Sequence, residues 1–284
     1  MIEIKNICKS FNTFSGTVNA LKNVSLSISK GSCTVIGGEN GSGKSLLVSI
    51  LAGLEEADSG QILFSDDFFQ DPCESGQPEE NFPESTVIPQ ATKKNTKSKK
   101  FTKKQDFSKN PSSSVGLVFQ EAETQILGET PAEDIAFGPK NLGFSKEKIE
   151  KAVQNALIKS GLEKKADFPA RFLSGGEKRR LAIACMLAME KPVIVLDEPY
   201  ANLDYSGVKQ VNQLVKELKS AGKTIIILTH EIEKCLALAD RFVVLFRGEK
   251  VFDGSPEQAL SESLEKWNIH NPLLAYKSLD DLVW

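Results

Sequence analysis

A glycine-rich segment contains the first residues of this chain that could bind a ligand. Residues 38–45 read GENGSGKS and fit the pattern G-x-x-x-x-G-K-[ST], directly after an apolar run and before the helical stretch LLVSILAGL. Glycines let backbone N–H groups wrap around phosphate oxygens, and the positive end of the following helix favours the same anions. The segment therefore predicts a nucleotide site, with phosphate contacts expected from Gly38, Asn40, Gly41, Gly43, Lys44 and Ser45.

Two residues of this loop have more specific expected roles. Lys44 should reach the β- and γ-phosphates, and the hydroxyl of Ser45 should ligate Mg²⁺. Chance alone gives the pattern in about one chain in a hundred of this length. A plain glycine turn is therefore the weaker interpretation.

A pair of carboxylates would supply the hydrolytic chemistry that a phosphate loop lacks. Residues 192–199, PVIVLDEP, form an apolar run that ends in Asp197 and Glu198. Asp197 is placed to hold Mg²⁺ through its hydration shell, while Glu198 can polarise water for attack on the γ-phosphate. Such a pair is often only a strand end in solvent, but together with the glycine loop it indicates nucleotide hydrolysis.

A second glycine pair suggests that two copies act together. Residues 173–184, LSGGEKRRLAIA, place Ser174, Gly175 and Gly176 at the N-terminus of a predicted helix, which is a second anion-binding end. One site cannot easily use two such ends of the same fold. A head-to-tail dimer can, with each SGG closing over the nucleotide of the other copy. The alternative is a capped helix that merely contains glycines.

Short β-rich runs alternate with helical segments and would position these residues. The strands are predicted at 2–4, 24–28, 33–36, 61–64, 115–119, 193–196, 224–228 and 242–246. Helices are predicted at 177–190, at 207–220, and between a Ser145 cap and a Gly161 stop. The alternation predicts an α/β fold with parallel strands at its centre. The first segments and the hairpin FVVLFRGEKVFDG have a more antiparallel character.

The composition excludes several classes of protein. The formal net charge of -3 over 284 residues gives no global attraction to nucleic acid. The five cysteines are scattered and form no CxxC pair, which argues against a disulfide framework or a zinc site. No apolar run approaches the roughly 20 residues of a membrane-spanning helix. Any role at a membrane is therefore expected to be peripheral.

Residues 65–114 interrupt the alternation of strands and helices. Seven acidic residues and no lysine or arginine lie in 66–90, and eight lysines and one acid lie in 92–109. The lysine run KKNTKSKKFTKK could form a patch for nucleic acid or anionic lipid. A solvated insertion whose two halves nearly cancel in charge is the favoured interpretation.

Together these motifs resemble the ATP-binding cassette (ABC) family, whose signature is LSGGQ; here Glu177 takes the last position. The resemblance implies a P-loop NTPase with a RecA-like core, an antiparallel β subdomain and an α-helical signature subdomain. It implies ATP and Mg²⁺ as ligands. It also divides the chain into an ATPase domain at 1–254, with a helical lobe at about 128–175 and the insertion at about 65–114, and a C-terminal helical tail at 255–284. The end of that tail, LDDLVW, is expected to pack on the lobe or on a dimer partner.

The resemblance assigns further residues. Asp204, in ANLD, matches the D-loop that crosses the dimer interface, and His230, after TIIILT, matches the switch histidine that contacts the γ-phosphate. Gln120 matches the Q-loop glutamine near Mg²⁺ and the attacking water. Phe11 aligns with the aromatic residue that stacks on adenine, with Phe14 as a competitor. The implied catalytic residues are Glu198, His230 and Gln120, and the implied metal residues are Ser45, Gln120 and Asp197.

The segment 119–139, FQEAETQILGETPAEDIAFGP, is similar to the ATPases of energy-coupling factor (ECF) transporters, a group that includes cobalt, nickel and vitamin uptake systems. The matching residues are Gln125, Glu133, Asp134, Phe137, Gly138 and Pro139. The likeness implies a groove that receives the cytosolic coupling helices of a transmembrane protein, with acidic side chains opposite basic ones. An acidic solvated loop is the alternative.

The resulting hypothesis is an ATP-hydrolysing, energy-coupling subunit of an ECF-type importer for a vitamin or a transition-metal ion, bound peripherally at the cytoplasmic face of the membrane. Its partners would be a second, identical or similar ABC ATPase subunit, an integral coupling protein and a substrate-binding membrane component, with no nucleic acid. Two alternatives remain: the ATPase of a binding-protein-dependent ABC importer, and a non-transport ABC protein that acts on nucleic acid through the lysine run.

Overall fold

The computed structural model describes residues 1–14, 16–65 and 114–274. The lysine run and the LDDLVW terminus lie outside these residues. The strands are β1 (Ile2–Thr13), β2 (Gly16–Ile28), β3 (Cys33–Gly37), β4 (Ser59–Phe64), β5 (Val115–Val118), β6 (Val193–Asp197), β7 (Thr224–Thr229), β8 (Arg241–Phe246) and β9 (Glu249–Gly254). The α-helices are α1 (Lys44–Leu51), α2 (Pro131–Asn141), α3 (Lys146–Ser160), α4 (Gly175–Ala188), α5 (Tyr205–Ser220) and α6 (Pro256–Leu260).

A six-stranded sheet forms the centre of the fold, in the order β5-β6-β7-β3-β8-β9. Its strands are parallel except for β9, which is antiparallel to β8. Every residue of β3, β6 and β7 is buried, as expected for apolar strands covered on both faces. The α/β prediction is thus confirmed. Because parallel strands end at one edge, the segments that follow β3, β6 and β7 meet there.

A second, antiparallel sheet has the order β2-β1-β4. Its inner face packs with α1 against one face of the central sheet. β1 and β2 are much longer than the predicted strands at 2–4 and 24–28. Their paired outer halves, Ser10 to Thr13 with Gly16 to Asn19, are largely exposed and mostly polar apart from Phe11 and Val18. Hydrophobic alternation marks only the buried halves of these strands.

Helices α2 and α3 pack with α4 around a separate apolar cluster that includes Ile135, Leu157 and Leu181. The predicted start and stop of α3 are confirmed: the Ser145 hydroxyl accepts from Lys148 N, and Gly161 adopts the left-handed conformation. Helix α4 also contacts the central sheet, through Ala182 and Ile183. It therefore connects the helical lobe to the sheet.

In the sequence, residues 256–266 predict one continuous helix at the start of the C-terminal tail, but the helix of the structure is shorter. Helix α6 ends at Leu260, and a short 3-10 turn, Leu264–Trp267, follows it. The Ser261 hydroxyl bonds to Gln258 O, a local competition with the backbone that serine favours. The break lets Leu264 and Ile269 enter the core on the α5 side of the sheet.

Candidate nucleotide site

The glycine loop between β3 and α1 needs its glycines for both conformation and space. Gly38, Gly41 and Gly43 have φ angles of 148°, 82° and 102°, which disfavour any side chain. A Cβ atom at Gly38 would lie 2.2 Å from the backbone oxygen of Leu245. Asn40 lies in the same loop and is exposed. The loop is therefore fixed against β8 while its tip faces solvent.

The N-terminus of α1 is left open for a ligand. Its cap, Gly43, offers no side-chain hydrogen bond, and its first turn contains no acidic residue. Helix N-termini leave backbone N–H groups without intrahelical partners, and these groups carry partial positive charge. The open end suits an anion such as a phosphate.

Lys44 is buried and folds back over the loop. Its Nζ donates to the backbone oxygens of Gly38 at 2.7 Å and Glu39 at 3.0 Å, and lies 3.8 Å from Oε1 of Glu198. Burial lowers the pKa of Lys44, and the neighbouring carboxylates of Glu198 and Asp197 oppose that shift. The loop thus already holds a cation next to its phosphate-facing backbone.

The residues of the predicted metal site fit Mg²⁺. Asp197 ends β6 and is buried, and its Oδ1 has no hydrogen-bond partner. Burial raises the pKa of Asp197, and a hydrogen bond from Ser45 opposes the rise. In the described part of the chain no cluster of three His, Cys, Asp or Glu side chains could hold a metal alone. Mg²⁺ would therefore need the Ser45 hydroxyl, phosphate oxygens and water as ligands besides the orphaned carboxylate.

Glu198 and His230 directly follow β6 and β7, and their side chains are hydrogen-bonded to each other. His230 Nδ1 lies 3.0 Å from Oε1 of Glu198, whose side chain is only 6% exposed whereas that of His230 is 45% exposed. Lys44 and His230 both approach the same carboxylate oxygen, Oε1 of Glu198. This arrangement can orient a general base beneath an exposed imidazole.

Gln120 follows β5 and is exposed, and its backbone oxygen accepts from Nη1 of Arg179 at 2.7 Å. The side chain of Gln125 fixes the same loop, since it accepts from Phe119 N and donates to Leu117 O, both at 2.9 Å. The structure therefore shows how the backbone of Gln120 is held, by Arg179. The catalytic and metal roles of its side chain stay predictions.

Sequence reasoning missed two residues that tie distant segments to this site. Arg179 is buried in α4 and donates to the carbonyls of Gln120 and Ala201. Its position in the run KRR is typical of a solvated helix face, so the sequence gives no sign of its burial. Asn268 donates from Nδ2 to Oε2 of Glu39 at 2.7 Å, which joins the C-terminal segment to the glycine loop.

The SGG segment begins α4, as predicted. Ser174 is the cap, and it forms a capping box with Glu177. A Cβ atom at Gly175 would meet nothing within 4 Å, so this end of the helix is open to solvent. No hydrogen bond or ion pair among the described residues joins Ser174, Gly175 or Gly176 to the glycine loop of the same chain.

Asp204 caps α5 and accepts from Gly207 N at 2.7 Å, so its carboxylate already has a local partner. Asn202, in the preceding loop, has φ of 60°, a left-handed conformation that asparagine tolerates. The structure explains both residues by local backbone geometry. A role for Asp204 across a dimer interface stays a prediction.

The two candidate adenine-stacking residues differ in how firmly the backbone holds them. Phe11 pairs with Val18 across β1 and β2, its side chain is 42% exposed, and Lys9 Nζ lies 5.4 Å from its ring centroid. Phe14 lies in the turn after β1 and is fully exposed. The paired backbone favours Phe11, and the stacking role stays a prediction.

The expectation that acidic side chains of the 119–139 segment face a partner is wrong for Asp134. This side chain is buried, and its Oδ1 accepts from Leu127 N at 2.7 Å and Gly128 N at 2.8 Å. Its Oδ2 accepts from the thiol of Cys185 at 3.2 Å. Asp134 therefore shapes the loop before α2, while Glu133 next to it is exposed.

An apolar cleft of about 270 Å³ opens beside this loop, where α2 meets α4. Phe137 is 47% exposed at its wall, and a Cβ atom at Gly138 would lie 2.4 Å from Met189 Sδ, so the glycine allows the close approach of the two helices. The lining includes Gln125, Leu127, Phe137, Gly138, Met186 and Met189. Among the described helices, none is long and apolar enough to span a bilayer.

Sequence comparisons show which known proteins this chain is similar to. A sequence model of the family described as "ABC transporter" matches residues 21–201. The energy-coupling factor transporter ATP-binding protein EcfA of Methanocaldococcus jannaschii is 36% identical over 258 residues, which cover 90% of this chain and 81% of the relative. EcfA2 of Clostridium tetani is 37% identical over 262 residues, covering 90% and 80%. EcfA2 of Methanospirillum hungatei is 35% identical over 257 residues, and there the match spans 90% of this chain but only 56% of the relative.

Comparison with solved structures also finds ATP-binding cassette proteins. The structure of cbiO1 from Clostridium perfringens, described as part of the ABC transporter complex cbiONQ, has a TM-score of 0.71 and 31% sequence identity, and 94% of each chain is covered. A dimeric ATP-binding cassette in a post-hydrolysis state, bound to ADP and Pi, has a TM-score of 0.67 and 26% identity, with 90% of this chain and 99% of that chain covered.

Proposed function

Because this chain belongs to the ABC transporter family and is an ATPase domain, we propose that it is the energy-coupling ATPase subunit of an ECF-type importer. The cargo would be a vitamin or a transition-metal ion, and the chain would act at the cytoplasmic face of the membrane. The names of the relatives EcfA and EcfA2 support the ECF type. The observation that carries the hydrolytic function is the contact of Glu198 with both Lys44 and His230.

The glycine loop would bind the triphosphate of ATP. The open N-terminus of α1 presents its backbone N–H groups to the phosphates, and Lys44 Nζ exchanges its bonds to the carbonyls of Gly38 and Glu39 for phosphate oxygens. Ser45 and Asp197 would hold Mg²⁺. When bound, Mg²⁺ supplies Lewis-acid stabilisation of the charge on the phosphates.

Glu198 would then act as the general base. Its carboxylate takes the proton of a water that attacks the γ-phosphorus, while the bond to the β,γ-bridging oxygen breaks and ADP leaves. The hydrogen bond from His230 keeps that carboxylate in place. The exposed imidazole is free to contact the γ-phosphate from above. Closure by the Ser174–Gly176 end of a second subunit would exclude bulk water from the step.

The cleft between α2 and α4 would receive a coupling helix of the integral membrane partner. Its apolar lining around Phe137 and Met189 suits the apolar face of an amphipathic helix. The exposed Glu133, rather than the buried Asp134, is the acidic residue that could set the orientation of that helix. Movement of this cleft would pass to the ATP site through Arg179, which binds the carbonyl of Gln120.

Replacing Glu198 with glutamine tests the hydrolytic part of the proposal. The amide cannot take the proton of water, so kcat should fall about 10²–10⁴-fold while ATP affinity is retained. An ATPase assay and a nucleotide-binding titration measure the two effects, and gel filtration should show a dimer that persists in ATP. Glu231→Gln, an acid next to His230 that pairs with Lys234, is the control. Near-normal turnover of Glu198→Gln would contradict the assignment of the base.

Replacing Phe137 with aspartate tests the transport part. We expect a tagged wild-type chain to co-purify from membranes with a small integral protein and a substrate-binding membrane protein. Phe137→Asp should lose these partners because a charge enters the apolar cleft, yet keep basal ATPase activity. Val251→Asp on β9 is the control, since its side chain is also partly exposed but lies outside the cleft. Isolation of a permease served by an extracytoplasmic binding protein would contradict the ECF type.

A further inference from the structure

The second anion-binding helix end of this chain contains an acid. Glu177 is the third residue of α4 and directly follows the pair Gly175 and Gly176. A carboxylate there stabilises its own helix, because it faces the positive end of the dipole. The same carboxylate would also repel the γ-phosphate of a nucleotide brought to this end. The chain must resolve this conflict if the end is to bind phosphate.

Both oxygens of the Glu177 carboxylate are occupied. Oε2 accepts from Ser174 N at 2.9 Å, and Oε1 accepts from Nζ of Lys165 at 2.6 Å. Burial raises the pKa of Glu177, but the bonds from Lys165 and from the backbone of Ser174 outweigh it and leave the pKa below its ordinary value. The acid is therefore ionised at neutral pH, and its charge is paired with a lysine.

Lys165 is well placed for this pairing. It ends the short turn Glu163–Lys165 in the connection between α3 and α4, and its Nζ lies 5.2 Å from the ring centroid of Phe168. The side chains of Lys165 and Glu177 are 39% and 18% exposed, so the pair is only partly screened by solvent. The adjacent Lys164 is exposed. Of the two lysines in this turn, only Lys165 is placed to reach the carboxylate of Glu177.

We propose that Lys165 is a positioning residue that neutralises Glu177 and holds it against the backbone of Ser174, so that the Ser174–Gly176 end can bind the γ-phosphate of an ATP held by an opposing subunit. This inference rests on the proposed function, because it requires an ATP-dependent dimer. Lys165 would contact neither the ATP nor the attacking water. It acts by removing one negative charge from the field that the phosphate meets.

A double-mutant cycle tests the proposal. Lys165→Gln should raise the KM for ATP, and the ATP concentration at half-maximal dimer formation, about 3- to 10-fold, the size expected for one charge at a partly buried helix terminus. The kcat at saturating ATP should stay close to that of the wild type. Glu177→Gln keeps the capping geometry without the charge, so Lys165→Gln should have no further effect in that background. Lys164→Gln is the matched control and should behave like the wild type.

Two results would overturn the proposal. One is an equal rise in KM from Lys165→Gln with and without the Glu177 carboxylate, which would mean that Lys165 only supports the fold. The other is a Lys165→Gln variant that matches Lys164→Gln in every measurement. Dimer formation by Glu198→Gln alone is measured separately. If that variant shows no ATP-dependent dimer, the proposed function fails, and the role of Lys165 fails with it.

Discussion

The helices α1 and α4 both begin at glycines that are expected to meet phosphate, but their N-termini are built differently. Helix α1 starts after Gly43 without a side-chain cap, and its first turn contains a buried lysine and no acid. Helix α4 starts after Ser174, whose hydroxyl accepts from the backbone of Glu177. The first end leaves its N–H groups for a ligand, whereas the second satisfies part of its own.

The difference indicates separate roles for the two ends. An uncapped helix end gives up stability that a bound anion can restore, so α1 is suited to hold a nucleotide for the whole cycle. A capped end is stable without ligand and offers only the N–H groups of Gly175 and Gly176. Such an end can cover the nucleotide and release it again when the phosphate leaves. In a chain of this kind, one helix end would bind and the other would close.

The largest effect is expected at the uncapped end. Lys44→Ala removes the buried cation that is expected to bind the phosphates there, and hydrogen bonds to charged groups contribute about 1.5–3 kcal/mol. ATP affinity should fall roughly 10- to 150-fold by that measure, as followed by titration with a fluorescent nucleotide. Lys22→Ala, which removes an exposed lysine paired with Glu249, should leave affinity unchanged. Wild-type affinity in Lys44→Ala would remove the distinction between the two ends.

A smaller effect is expected from removal of the cap at the other end. Ser174→Ala should lower the free energy of unfolding by about 0.5–2 kcal/mol, the usual cost of losing a serine cap. Urea denaturation without nucleotide measures this loss. Ser206→Ala is the control, because its hydroxyl contacts Asp204 only at 3.3 to 3.4 Å and caps no helix. If Ser174→Ala is as stable as the wild type, the side-chain cap does not stabilise the N-terminus of α4 in the absence of a ligand.

The smallest effect concerns pH. The folded pKa of Glu177 lies below its ordinary value of 4.5, so its contribution to stability is present above that value and is lost as pH falls through the folded pKa. We expect the free energy of unfolding of the wild type to exceed that of Glu177→Gln by about 0.3–1 kcal/mol at pH 7, and the difference should shrink as pH falls below 4.5.

Denaturation curves at pH 7 and at a series of lower pH values measure this difference in stability. Glu147→Gln, at the exposed first turn of α3, gives the effect of the helix dipole without an ion pair to Lys165. Two results would show that the pair with Lys165 adds nothing to the stability of α4. One is a stability difference between wild type and Glu177→Gln that does not change with pH, and the other is a difference no larger than that between wild type and Glu147→Gln.

The sequence was sufficient for the residues whose role follows from their place at strand ends. Lys44, Asp197, Glu198 and His230 follow apolar runs that could only be central strands, and the edge of a parallel sheet brings them together. The motifs also predicted the family correctly, and the α/β architecture with it. These successes share one cause, because local pattern and tertiary position agree at each of them.

The sequence did not predict which charged side chains are buried or paired inside the protein. Asp134 lies in an acidic segment that the sequence suggests is exposed, yet its carboxylate accepts hydrogen bonds from two backbone N–H groups. Arg179 lies in a basic run and is buried against carbonyls of two loops. The pairing of Glu177 with Lys165 depends on how a turn folds back onto α4. No periodicity records such contacts, since they are set by the packing of segments that are distant in sequence.

The position of β3 has a consequence for how the molecule is made. The strand that carries the glycine loop is inserted between β7 and β8, with Cys33 beside Ile225 and Gly37 beside Val244. A ribosome synthesises the loop early and its two neighbouring strands much later. Contacts of such long sequence separation form slowly, because loop closure must come first. The glycine loop of a nascent chain is therefore made long before the strands that hold it in place. We expect ATP to stabilise a late stage of folding, after these strands have paired, and not an early one.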